Sequence, residues 1–240
     1  MALGGPAGAI AGAAAGPVMT NTLRHVGHEV GQRLLSPREE ARVGTVFVLT
    51  ANEVRERLDA GEVQRTDGFF DEGRTRRSTA EEITEGVFLA AQREYEERKL
   101  PYLATLLASF VFATGLDRAQ AVALLRAAQT LSYCQICLIA FYRRIVDNTE
   151  IPRIATAVRQ DIDAVAMLIA ELADLSSRGF VISSATWDGG VSFFGPAKSD
   201  QLTRIGDLLY SLMRLDRIPT SELDEILQSL LHGTPADKAT

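Results

Sequence analysis

The chain has 240 residues, of which 46% are hydrophobic and 23% charged, and its formal net charge is −6. That length buries a core as one large domain or two small ones, and the composition is that of a folded globular chain rather than a disordered one. An acidic balance without clustered Lys and Arg excludes a general phosphate-backbone footprint. The two cysteines, Cys134 and Cys137, sit three apart in an apolar stretch, which excludes a disulfide framework and points to a reducing, cytoplasmic compartment.

The chain opens on a chargeless Ala-rich stretch in which Gly4, Gly8, Gly12 and Gly16 recur at every fourth position. Positions four apart share one helix face, and a stripe of bare backbone there lets a second helix approach closely. Each glycine costs about 1 kcal/mol relative to alanine in a helix interior, so such a helix needs packing to offset the loss. The stretch lacks the positive leading region and the leucines of a secretory signal and is read as retained. Gly27 and Gly31 repeat the spacing among Leu23, Val26, Val30 and Leu34. Residues 1–35 are therefore read as a glycine-zipper segment, with a flexible tail as the bland alternative.

Ser36, Pro37 and Glu39 form a capping box with proline at the first helical position. The helix they open carries Val43, Val46, Phe47, Thr50, Val54 and Leu58 on one face and stops at Gly61. Residues 62–77 read as a charged loop holding the adjacent pair Phe69 and Phe70. That pair is either a plug stapling the loop to the core or an exposed partner contact, and the cost of leaving aromatics in water favours the plug.

Ser78 and Glu81 open a second capped helix, expected to run to about Lys99 with Ile83, Val87, Phe88, Ala91 and Tyr95 inward. Pro101 opens a third, ending at Gly115, and Asp117 with Gln120 caps a fourth before the apolar run LSYCQICLIAFY. From Ile151 the pattern predicts a long helix to Arg178, stopped by Gly179. FVISSATW and VSFF then flank Asp188-Gly189-Gly190, a hairpin signal. Leu202, Ile205, Leu208, Leu209, Leu212 and Met213 mark one more helix, and Ser221 to Leu231 a last one.

No motif carries catalysis. His25 and His28 with Cys134 and Cys137 formally supply a Cys2His2 zinc set, but both pairs fall in helical patterns more than a hundred residues apart, so packing is the preferred reading and no metal is expected. His28-Glu29 lacks the second histidine of a zinc protease helix. The acidic pairs Glu81-Glu82, Glu96-Glu97 and Asp224-Glu225 read as solvated helix faces.

The hairpin between two amphipathic helices, with Leu202-Thr203-Arg204-Ile205-Gly206 opening the second, resembles the wing of a winged-helix module over residues 151–215. The resemblance implies a helix before the wing at about 161–178. Asp161, Asp163, Glu171 and Asp174 outweigh Arg178 there, so a protein-contact or structural module is expected rather than a DNA reader. Residues 36–142, with segments such as RLDAGE, DGFFDE, EEITEG and YEERKLPYL, are similar to a family of bacterial helical proteins. That likeness implies a bacterial origin and a single co-folded unit, and it brings no activity with it.

The sequence thus predicts an all-α multi-helix bundle with a small C-terminal winged-helix-like subdomain. Its expected division is a glycine-zipper segment at 1–35, a helical core at 36–150 and the winged-helix-like part at 151–240. The expected function is non-enzymatic, without cofactor. Gly4, Gly8, Gly12, Gly16, Gly27 and Gly31 would pack between protomers of a homo-oligomer or insert into membrane lipid, as in a bacterial stress or defence effector. The rival reading is a winged-helix regulator that binds nucleic acid.

Overall fold

The computed structural model describes residues 16–33, 35–73, 76–146, 162–182 and 201–232. The described residues are mostly helical, and the chain divides into two compact units, Met1–Thr130 and Leu131–Thr240.

In the first unit α1 spans Pro17–Gly31, with Gly16 as its N-cap. Met19, Leu23, Val26 and Val30 are buried to 1% exposure or less, and α1 packs on the helices over Thr79–Arg93 and Pro37–Asp59. The core therefore begins before Ser36: the periodic apolar face seen in the sequence is used inside this unit. The central helix α2, Pro37–Asp59, starts as expected on the Ser36 and Glu39 box, where Ser36 N–H donates to Glu39 Oε2 at 2.7 Å. It buries Val43, Val46 and Val54 against the helices over Thr79–Arg93 and Leu100–Phe110, and its buried Thr50 hydroxyl donates to the Ala104 carbonyl at 3.3 Å. That bond satisfies a polar group which would otherwise cost free energy in the core.

Helix α3, Thr79–Arg93, also begins on its predicted box, with Glu81 N–H donating to Ser78 Oγ at 3.1 Å. Its end differs from the expectation. Glu94 leaves the helix in an extended conformation, so Tyr95 drops out of the inward register and is 83% exposed. The physical reason is a buried ion pair. Lys99 Nζ lies 2.5 Å from Glu94 Oε2, both side chains are under a tenth exposed, and the intervening residues fold back through a 3-10 turn, Glu97–Lys99. Helix α4, Leu100–Phe110, follows at once with Pro101 in its first turn, where the missing N–H costs nothing. Helix α5, Arg118–Thr130, is capped reciprocally by Asp117 and Gln120 at 2.8 and 3.0 Å. Gly86 on α3 gives α5 its close seat: a Cβ there would lie 2.7 Å from Leu125 Cδ2.

In the second unit α6, Tyr133–Val146, opens on a box that the apolar run conceals. Gln135 N–H donates to Ser132 Oγ at 3.1 Å, and Ser132 N–H to Gln135 Oε1 at 3.2 Å. The long helix expected from Ile151 is described as α7, Ile162–Ser177; residues 147–161 lie outside the described part. Gly179 stops it at φ +73°, the left-handed conformation that glycine adopts without steric penalty. A short antiparallel pair follows, β1 Val181–Ile182 with β2 Gln201–Leu202, in which Val181 faces Leu202. The predicted turn at Asp188-Gly189-Gly190 lies outside the described residues.

Leu202, expected at the head of a helix, is instead the last strand residue, and Thr203 caps α8, Arg204–Leu212. The Thr203 side chain competes for backbone groups and forces the chain out of helix at that point. A 3-10 turn, Leu215–Arg217, and α9, Thr220–His232, complete the unit. Among the described residues no single helix is long and apolar enough to cross a membrane.

Candidate functional site

Of the glycine stripe, Gly4, Gly8 and Gly12 lie outside the described residues. Gly16 is held at φ +27°, and a Cβ on it would meet Gln64 Oε1 at 3.0 Å and Leu58 Cδ1 at 3.2 Å. The start of α1 is therefore seated on the end of α2 and the residues that follow it. Gly27 faces inward: its Cβ position is 3.3 Å from the Phe47 ring, which itself stacks on Phe88 at 6.3 Å. Gly31 is exposed, with no atom within 4 Å of a Cβ added there. The small residues of α1 thus divide. Gly16 and Gly27 admit neighbours of the same chain, and Gly31 stays open.

An ionic rail fastens α1 in place. Arg77, in the loop before α3, donates to Glu85 of α3 and to Glu29 of α1, and Arg33 just past α1 donates to the other Glu85 oxygen. His25 Nε2 lies 3.5 Å from Glu29 Oε1 and 3.9 Å from Glu81 Oε1. Burial pushes the Glu85 carboxyl up, but the bonds from Arg77 and Arg33 outweigh it and hold the group below the ordinary glutamate range. The same bond from Glu85 raises Arg77, so the pair stays charged. None of these roles is visible in sequence spacing, because Arg77, Glu85 and Glu29 meet only through the packing of α1 on α3.

The loop pair resolves as a plug. Phe69 is buried, and Phe70 meets it edge-on at 5.2 Å. Arg65 lies over the Phe69 ring with its guanidinium carbon 4.5 Å from the centroid. This arginine is nearly fully buried. It forks onto Asp67 with both bonds at 2.7 Å and donates to the Leu116 carbonyl at 2.7 Å. The Arg65 hydrogen bond holds Asp67 below the ordinary aspartate range.

Around this pair opens a shallow cleft of about 350 Å³, lined also by Thr79, Asp117 and Arg118. It brings together the starts of α3 and α5, but Arg65 is committed to Asp67, and Arg118 to Glu82 at 2.7 Å. The cleft is a polar seam that fixes the loop. In the sequence the Phe69 and Phe70 pair and the Asp117 cap point to this region, while the Arg65 and Asp67 fork leaves only its i, i+2 spacing.

The four zinc-set residues are placed as helix residues. Cys137 is buried and Cys134 half-buried on α6, His25 is engaged with the acidic rail, and His28 pairs with Gln32 at 2.8 Å. Among the described residues no group of three or more His, Cys, Asp or Glu side chains is gathered closely enough to hold a metal ion.

In the second unit Gln135 bridges the acidic end of α7. Its amide donates to Glu171 Oε2 and Asp174 Oδ2, each at 2.8 Å, and Arg178 donates to Gln135 Oε1 at 3.2 Å. Comparison with models of known protein families, with curated proteins and with solved structures finds no match to this chain.

Proposed function

We propose that this protein acts by association rather than catalysis, through the glycine stripe that leads into α1. The observation that carries the reading is the seating of Gly16 on Leu58 and Gln64, with the α1 face behind it buried and clamped by Arg77. Gly4, Gly8 and Gly12 share the four-residue register of Gly16, whose own place against Leu58 and Gln64 is fixed. Bare backbone at that spacing suits close helix packing, either between protomers of a homo-oligomer or against helices within lipid. Gly31, at the far end of α1, is open to a neighbour as well. Gly16 and Gly27 serve the fold itself and are withdrawn from the associating set. A role as a bacterial stress or defence effector fits this mode of action.

The test is Gly8→Leu and Gly12→Leu, read by native mass measurement and by leakage from liposomes. Close packing predicts loss of the oligomer and weaker leakage with the melting of the helical units unchanged, although leucine is the better helix former. An unchanged oligomer and unchanged leakage would leave only a tail. Stronger membrane binding would replace close packing with plain hydrophobic anchoring.

The second unit supports a winged-helix-like reading through one feature, the β1 and β2 pair set between α7 and α8. Glu171 and Asp174 near the end of α7 would repel phosphate, so a contact with protein suits it better than DNA. Binding to duplex DNA that weakens steeply with added salt would reverse that preference in favour of a nucleic-acid regulator.

A further inference from the structure

The chain has five tyrosines, and the structure treats one of them differently. Tyr133 and Tyr142 are buried at 4% and 5% exposure, Tyr102 and Tyr210 are half-buried, and Tyr95 is 83% exposed. Leaving a ring in water forgoes the stabilisation that its burial would bring. The turn itself is closed by the Glu94 and Lys99 pair and by backbone bonds, with the Tyr95 ring left outside.

The backbone around it is non-helical: Glu94 is extended, with ψ 119°, and the chain turns at Glu96, φ −85° and ψ 80°, where Glu97 N–H donates to the Tyr95 carbonyl at 3.2 Å. Both sides of this short link are pinned. Glu96 N–H donates to Glu94 Oε1 at 2.9 Å, and Glu97 accepts from Arg38 at 2.9 Å and from Arg42 at 3.1 Å. The phenol therefore projects from a fixed, non-helical step between two helices, with carboxylates at the preceding position and the two following ones.

We propose that Tyr95 is a phosphoacceptor, modified by a protein kinase whose substrate groove is basic enough to favour the acidic Glu96 that follows it. The Tyr95 oxygen attacks the terminal phosphorus of a nucleoside triphosphate. A new O–P bond forms as the bond to the nucleoside diphosphate breaks, and the phenol proton passes to the kinase base. The product adds a dianion beside Glu97, where like-charge repulsion and competition for Arg38 and Arg42 act on the clamp that joins the first turns of α2 to the end of α3. The modification would thus be read out at that seam.

The experiment uses the full chain with a purified tyrosine kinase of acidic-substrate preference and magnesium ATP, followed by intact-mass measurement and peptide mapping. The expected result is one phosphate, mapped to Tyr95, absent from Tyr95→Phe, and incorporated several-fold more slowly into Glu96→Lys. Because the ring is exposed, Tyr95→Phe should melt as the parent does, which separates loss of the acceptor from loss of the fold. The proposal is overturned if the native chain takes no phosphate while the heat-unfolded chain does. It is equally overturned if the label maps to Tyr102 or Tyr210, or if Glu96→Lys is modified as fast as the parent.

Discussion

Gly206 in the first turn of α8 lies directly against the carbonyl oxygen of Phe180, so close that a Cβ at this position would overlap it. Thr203 makes the approach. Its N–H donates to the Phe180 carbonyl at 3.0 Å, its hydroxyl donates to Gly179 O at 2.5 Å, and the same hydroxyl oxygen accepts from Gly206 N–H at 3.2 Å. One threonine thus caps the helix and draws its first turn onto the strand entry.

Gly206→Ala should therefore destabilise the second unit, by about 1–3 kcal/mol as in other overpacked sites, and more if the backbone cannot shift. Thr203→Ala should cost about 1 kcal/mol, the usual loss for an N-cap. Urea melts followed by circular dichroism give both values. A Gly206→Ala variant as stable as the parent would mean that α8 is free to move away from Phe180.

The α1 helix should behave as core. Leu23→Ala removes a side chain that is 1% exposed, and such deletions cost about 2–5 kcal/mol. Deleting residues 1–35 removes Met19, Leu23, Val26 and Val30 together. The shortened chain is then expected to lose cooperative melting of the first unit. A sharp melt at the parent temperature would show that α1 is a detachable strap.

Much of the helical layout is legible in the sequence because caps are local. Ser36 with Glu39, Ser78 with Glu81 and Asp117 with Gln120 all act within one turn, and each opens a helix where the spacing says. The Ser132 and Gln135 cap obeys the same rule but is hidden by the uniformly apolar residues around it. Tyr95 continues the α3 spacing and would be inward if the helix ran on; the Glu94 and Lys99 pair that ends the helix is a tertiary fact with no local signature. The candidate site is legible to the same limited degree. The spacing of Gly27 shows that backbones can meet there, but not that the neighbour is Phe47 of the same chain.

Acid should weaken the first unit in a defined direction. Glu85 and Glu97 are both held below the ordinary glutamate value of 4.5, Glu85 by Arg77 and Arg33 against burial, Glu97 by Arg42 and then Arg38. The unfolded chain, whose glutamates titrate near that ordinary value, then binds more protons than the folded one as pH drops below it. The stabilisation is complete above the ordinary value and is lost as pH falls through the lowered folded values. Glu85→Gln should flatten the acid limb of a stability-against-pH curve measured by urea melts. An acid limb as steep as the parent's would remove Glu85 from that role.

Arg143 and Arg144 end α6 side by side, yet their replacement by lysine should have different consequences. Arg143 Nη1 donates to Asp207 Oδ1 at 2.9 Å, a contact between partly exposed groups that a lysine ammonium can also make. Arg144 spreads its guanidinium over three acceptors, the Thr220 hydroxyl at 3.0 Å, the Asp216 carbonyl at 3.3 Å and the Ile218 carbonyl. These acceptors belong to the 3-10 turn and the start of α9, so one planar fork holds the path between them. A lysine offers a single point of charge and cannot span that set. Hydrogen bonds from a charged donor contribute about 1.5–3 kcal/mol each when lost, and partial replacement by water lowers the net effect. Arg144→Lys is expected to cost about 1–3 kcal/mol on that scale, and Arg143→Lys under about 1 kcal/mol, as for an exposed pair. Thermal melts of the two variants decide the matter, and equal losses would show that Arg144 acts through charge alone.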